Sequence, residues 1–146
     1  MRELPILWQR LVTQGATCPR CGSTQRAIEA AVARLEPALQ ALGMQPVLET
    51  QVIDEDAFRA APEESNRIWI GGRPMEEWLG ARAGHSRCCD ACGNLPCRTM
   101  EVDGQSYETI PAELIVKAAL IAAAQQIGPG AGAVMPSCCA SASGCR

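Results

Sequence analysis

Apolar residues along this chain follow strand and helix periods over most of its length. Leu4, Ile6, Leu7, Trp8, Leu11 and Val12 form a largely apolar run that ends at Thr13-Gln14-Gly15, the pattern of a strand leading into a turn. From Ser23 onward, Ile28, Val32, Leu35, Leu39 and Leu42 recur at intervals of four, three, four and three, which predicts one amphipathic helix closed by Gly43. Pro37 lies inside that helix and removes a backbone donor, so a kink or short break is expected near Glu36. Val47, Leu48, Val52 and Ile53 predict a second strand over 44–53, and Asp54 is suited to cap a short helix running to Ala61. Arg67-Ile68-Trp69-Ile70 reads as a third strand, turned back by Gly71-Gly72-Arg73-Pro74.

The second half is less regular. Met75 to Leu79 suits either a strand or a helix, and Gly80 to Cys97 reads as a loop. Arg98 to Val102 and Gln105 to Thr109 flank Asp103-Gly104, a pair that supplies the positive backbone angles of a tight hairpin. Pro111 opens a last helix that carries Leu114, Ile115, Ala118, Ala119 and Ile121 and stops at Gly128. Residues 128–132 form a Gly-rich linker, and 137–146 have nothing to pack, so the tail is expected to be a mobile arm. The strand–helix–strand opening requires a parallel crossover. The expected organisation is one α/β domain over 1–127 and a flexible Gly/Ala/Ser/Cys-rich tail over 128–146.

A chain of 146 residues with 47% hydrophobic and 20% charged residues can bury one core, which excludes wholesale disorder and rod-like assemblies. A net charge of -3, with twelve scattered arginines among thirteen basic residues, gives no electrostatic reason to bind nucleic acid or an anionic membrane. No run reaches transmembrane length, and residues 1–10 hold no apolar stretch long enough for a signal peptide, so a reducing cytosol is the expected compartment. In that compartment the nine cysteines are read as metal-binding or redox groups rather than as staples.

They fall into three groups. Cys18 and Cys21, in Cys18-Pro19-Arg20-Cys21, sit where the first strand hands over to the first helix. Unpaired N–H groups and the helix dipole stabilise a thiolate there, so Cys18 is the expected nucleophile and Cys21, one turn in, its resolving partner. The competing reading makes the pair two ligands of a structural zinc shared with Cys89 and Cys92, although the intervening span is far longer than the roughly 15 to 20 residues of zinc ribbons. The second group, Cys88, Cys89, Cys92 and Cys97, puts four thiols within ten residues. Soft thiolates select zinc, Cu(I), iron–sulfur clusters or heavier thiophilic ions. A tetrathiolate zinc or iron–sulfur site, a pair of disulfides and an open three-thiolate metalloid site all fit, and a metal or metalloid site is preferred. The third group, Cys138, Cys139 and Cys145, lies on the tail, where cysteine is an odd residue to leave exposed. His85 precedes the middle group as a further ligand or an exposed loop residue. Trp8, Trp69 and Trp78 are expected in the core or its rim, and Asp54, Glu55, Asp56, Glu63 and Glu64 as solvated charges. No Ser-His-Asp order, phosphate loop or dinucleotide fingerprint occurs.

The strand, the Cys-x-x-Cys helix start, Ser65-Asn66-Arg67-Ile68-Trp69-Ile70-Gly71-Gly72, the Cys-Cys-x-x-Cys-Gly cluster, and Cys97-Arg98-Thr99 leading to Tyr107-Glu108-Thr109-Ile110-Pro111 resemble a thioredoxin-like family of bacteria and archaea with unassigned function, over roughly residues 4–125. The resemblance implies a central mixed sheet flanked by helices, with a cysteine-rich loop inserted. Asn66 stands where such folds usually carry a cis-proline facing the cysteine pair, a residue that helps dock substrates and keeps metal off the pair. The tail is similar to the mobile vicinal-cysteine tails of mercuric reductases and to the paired cysteines of arsenite metallochaperones. Together these imply a cytosolic protein that binds mercury, arsenic or another soft ion and moves it by thiolate exchange. The alternatives are a thiol-disulfide oxidoreductase acting on an oxidised protein or small-molecule partner, and a structural-zinc interaction module.

Overall fold

Alternating burial makes the first strand the spine of the molecule: Leu4, Ile6 and Trp8 point into the core from one face. The computed structural model describes residues 1–12, 19–87 and 96–128, the side chains of 19, 20, 87, 96 and 97 excepted. The elements are β1 (Arg2–Leu11), α1 (Pro19–Gln40), β2 (Met44–Ile53), α2 (Glu55–Ala60), a 3₁₀ turn (Pro62–Glu64), β3 (Arg67–Ile70), β4 (Arg73–Pro74), α3 (Met75–Leu79), β5 (Arg82–Arg87), β6 (Pro96–Val102), β7 (Gln105–Tyr107) and α4 (Ala112–Gln126). The fold is mixed α/β. Its main sheet has the order β2-β1-β3-β4. β1 runs parallel to β2, from Arg2 opposite Met44 to Leu11 opposite Ile53, and antiparallel to β3, from Ile6 opposite Ile70 to Gln9 opposite Arg67. Consequently β3 begins at the end of the sheet where β1 finishes and hands over toward α1.

α1 packs its inward stripe of Cys21, Thr24, Ile28, Ala31, Leu35 and Leu39 into the core. It runs through Pro37 without the short break that was one of the two outcomes expected near Glu36. The proline costs one backbone hydrogen bond three residues before the helix ends, and Leu35 and Leu39, fully buried on either side, hold that last turn in place. Gly43, at φ +69°, reverses the chain into β2, and Leu42, expected on the helical stripe, lies beyond the helix end and is exposed. α2 starts as the sequence predicts, with the Asp54 carboxylate accepting from the Ala57 N–H at 2.8 Å. α4 presents Ile115, Ala118, Ala119, Ala122 and Ala123 to the core, and the four alanines allow close approach to α1. Pro111 caps α4 rather than occupying its first turn.

Within the stretch read as a loop over 80–97, the described residues 82–87 and 96–97 are strand. β5 and the start of β6 lie within it and form, with β7, a separate three-stranded antiparallel sheet inserted between α3 and α4. β5 has no apolar alternation of its own, and its backbone is ordered by β6, which pairs with it from Arg82 opposite Glu101 to Arg87 opposite Pro96. Gly84 makes room for its partner: a Cβ there would stand 2.6 Å from the Thr99 Oγ1. The expected hairpin turn is present, with Asp103 at φ 50° and Gly104 at φ 80°.

Candidate functional site

Cys18 lies outside the described residues, immediately before α1. Cys21 falls in the first turn and is 4% exposed, continuous with the apolar core. Thr24 follows it on the same inward stripe and is fully buried. Its Oγ1 has no hydrogen-bond partner among the described residues.

Beneath this turn lies the end of β1. Arg10 donates from Nη1 to the Gln25 Oε1 at 3.2 Å, and its guanidinium sits 5.5 Å from the Trp8 ring centroid. That bond shows which sheet face the start of α1 covers: the one bearing Trp8 and Arg10, two residues apart on the strand. It also puts a cation beside the first turns of the helix, and none of the ion pairs among the described residues engages it. The indole N–H of Trp8 donates to the Asn66 Oδ1 at 3.1 Å. Asn66 is 2% exposed and sits at φ 54°, the left-handed region that asparagine tolerates better than most residues, where the 3₁₀ turn gives way to β3. Its Nδ2 is buried without a partner among the described residues.

The inserted sheet is tied to this same end. Arg98, on β6, donates Nε and Nη2 to the Glu76 Oε1 on α3 at 3.1 and 2.8 Å, and Nη1 to the Glu63 carbonyl at 2.8 Å. The two side chains are 8% and 10% exposed, making this a buried ion pair. Glu63 precedes Asn66 by three residues, so the anchor holds β6 at the end of the main sheet where α1 begins. Cys97 is the residue before Arg98, and its backbone lies in β6 opposite Ser86, not in a loop as expected. The next pair, Arg87 with Pro96, closes the segment 88–95. Cys88, Cys89 and Cys92, on that segment, lie outside the described residues, as do Cys138, Cys139 and Cys145. The end of α4 is at the opposite pole, where Arg2 Nη1 donates to the Gln126 carbonyl at 2.8 Å.

Among the described residues no group of three His, Cys, Asp or Glu side chains is placed to hold a metal ion. His85 is exposed on β5 opposite Arg98. The tryptophans occupy the core and its rim as expected: Trp8 is buried, Trp78 donates to the Ile70 carbonyl at 2.7 Å, and Trp69 lies under the Arg67 guanidinium at 4.6 Å. Glu64 departs from its expected solvated role. Half-buried, it pairs with Arg67 and accepts from Gln9. The Arg98–Glu76 pair was invisible in the sequence because 22 residues separate its members, on elements with no shared period.

No helix of the described residues is long and apolar enough to cross a membrane. Residues 4–119 match the family described as "Domain of unknown function (DUF2703)". A relative from Archaeoglobus fulgidus, described as "Uncharacterized protein", is 40% identical over 113 residues, covering 77% of this chain and 82% of the relative. No solved structure matches the chain.

Proposed function

The chain belongs to the DUF2703 family, and from that premise we propose that it is a cytosolic, thioredoxin-like thiol protein that binds arsenic(III) or mercury(II) and passes it between its cysteine groups by thiolate exchange. The thioredoxin-like reading is supported by the parallel β1–α1–β2 unit with the Cys-x-x-Cys pair at the helix start, and by an antiparallel β3 entered through Asn66. The observation that carries the exchange reading is the Arg98 anchor. By fastening β6 to Glu63 and Glu76, it brings the strand whose backbone holds Cys97 to the end of the sheet where α1 begins.

In this reading Cys18 and Cys21 are the acceptor pair, Cys88, Cys89, Cys92 and Cys97 a second site, and Cys138, Cys139 and Cys145 the collector. Each transfer forms one sulfur–ion bond as another breaks, and the incoming thiol's proton passes to the departing sulfur. No oxidant or reductant is required.

The test counts free thiols and bound metal in the anaerobically purified full chain, then adds arsenite or Hg(II). Tight, stoichiometric uptake that consumes thiols and weakens in Cys18→Ser and Cys21→Ser is the expected result. Stoichiometric zinc that neither ion displaces would replace the proposal with a structural-zinc interaction module. Reduction of an insulin-type disulfide that is lost on Cys18→Ser, with weak ion binding, would replace it with a thiol-disulfide oxidoreductase in which Cys18 attacks and Cys21 resolves.

A further inference from the structure

A free sheet edge is a template for further pairing, and folded proteins blunt such edges with short strands, prolines and charges. Three of the four sheet edges among the described residues are blunted: β4 is two residues long and contains Pro74, β7 is three residues long, and β5 carries Arg82 and Arg87 at its ends. β2 is different. It runs for ten residues with β1 on one side only, Glu49 is its single charge, and Leu48 and Val52 are 37% and 54% exposed. The Arg2 N–H donates to the Gly43 carbonyl at 3.0 Å and the Val12 N–H to the Ile53 carbonyl at 3.2 Å. In a parallel ladder every second residue turns both backbone groups toward its neighbour, so the odd-numbered residues of β2 face β1. Leu48, Thr50 and Val52 therefore turn their N–H and C=O groups to the free edge. Pro46 belongs to the same edge-facing set, where its missing N–H costs the ladder nothing.

This edge is complementary to itself. With Thr50 set antiparallel against Thr50 of a second copy, Leu48 meets Val52 and Val47 meets Ile53, apolar against apolar on both faces, and Glu49 meets the neutral Gln51. Each copy's edge-facing N–H groups, at Leu48, Thr50 and Val52, then meet carbonyls of the other, and Pro46 falls outside the paired stretch. Neighbouring registers lose these matches. Centred on Glu49, the pairing sets two carboxylates face to face and leaves the Val52 carbonyl opposite Pro46, which has no N–H to give. Centred on Leu48, it puts Glu49 against Val47; centred on Gln51, it puts Glu49 against Ile53 and Leu48 against Asp54. A register between these turns edge-facing residues toward inward-facing ones and forms no ladder. We propose that β2 is a self-association edge: two copies pair antiparallel about Thr50 over residues 47–53 and join their main sheets into one of eight strands. No cysteine takes part, so this pairing stands or falls separately from the thiol chemistry.

The experiment follows the full chain by sedimentation equilibrium over a range of concentrations, with reductant and chelator present so that neither a disulfide nor a metal joins the copies. A concentration-dependent dimer is expected. Amide exchange at Leu48, Thr50 and Val52 should slow as the concentration rises, while the odd-numbered amides of β2, already bonded to β1, should change far less. Thr50 is exposed, so Thr50→Lys and Thr50→Glu should leave the circular dichroism of the folded chain unaltered. Each sets like charges face to face on the dimer axis and should raise the dimer dissociation constant by at least about tenfold. An equimolar mixture of the two, which places lysine opposite glutamate, should restore the dimer. A single monomer mass at every concentration overturns the proposal. So does a dimer that both variants leave intact, or a mixture that fails to associate. Protection of the three amides that does not depend on concentration also overturns it, because the edge would then be covered from within its own chain.

Discussion

Arg98→Met should unfasten the inserted sheet from the body of the protein. Methionine keeps much of the arginine stem's apolar volume but leaves the Glu76 carboxylate, in a side chain only 10% exposed, without its cation. Two charge-assisted donations to Glu76 Oε1, at 3.1 and 2.8 Å, and one to the Glu63 carbonyl, at 2.8 Å, are lost together. Breaking one side of a buried pair costs about 3–5 kcal/mol, because the remaining charge stays desolvated. With a urea slope of about 2 kcal/mol/M, the unfolding midpoint of the reduced protein should fall by about 2 M. Removing both charges, in Arg98→Met with Glu76→Met, leaves no orphaned charge, and should recover at least about 2 kcal/mol relative to the sum of the single losses. The assay is urea unfolding followed by circular dichroism, on both single variants and the double. A loss below about 1 kcal/mol for Arg98→Met, the scale of an exposed pair, or strict additivity in the double variant, would refute the argument that this tie is buried and strong.

Two further outcomes follow from local geometry. Gly84→Ala would push a Cβ to 2.6 Å from the Thr99 Oγ1 and 2.9 Å from the Glu101 Oε1. Glutamate can swing away but the buried, branched threonine cannot easily, so a loss of about 1–3 kcal/mol is expected, read as faster amide exchange confined to β5 and β6. Glu113, exposed in the first turn of α4, is held below the ordinary glutamate value by a hydrogen bond from its own backbone N–H, and then by Arg34 at 3.2 Å. Because the folded value is depressed, its contribution is present at neutral pH and is lost as the pH falls through that value. A carboxyl NMR titration should show a low midpoint that rises only part of the way in Arg34→Gln, since the backbone cause remains.

Features readable from the sequence are those whose cause lies within a few residues. The stripe from Ile28 to Leu39 repeats at the helical period, Asp54 stands one residue before the helix it caps, and Asp103-Gly104 carries its own turn. The first cysteine motif is local in the same way. Cys18-Pro19-Arg20-Cys21 announces itself by spacing, and the structure starts α1 at Pro19. β5 failed to show because Arg82-Ala83-Gly84-His85-Ser86-Arg87 has no periodic apolar face. Pro37 does not break its helix, a local cost outweighed by the buried leucines around it.

The sequence alone determined the strand–helix–strand opening, the hairpin and the three cysteine groups, since period, cap and turn residues act over one or two turns of chain. Only the tertiary structure decided that Trp8 meets Asn66 across 58 positions and that Arg98 reaches Glu63 across 35, tying the inserted sheet to the end where α1 begins. Such contacts are set by which strands pair and which faces are covered. They are properties of the assembled core, and no short window of residues encodes them.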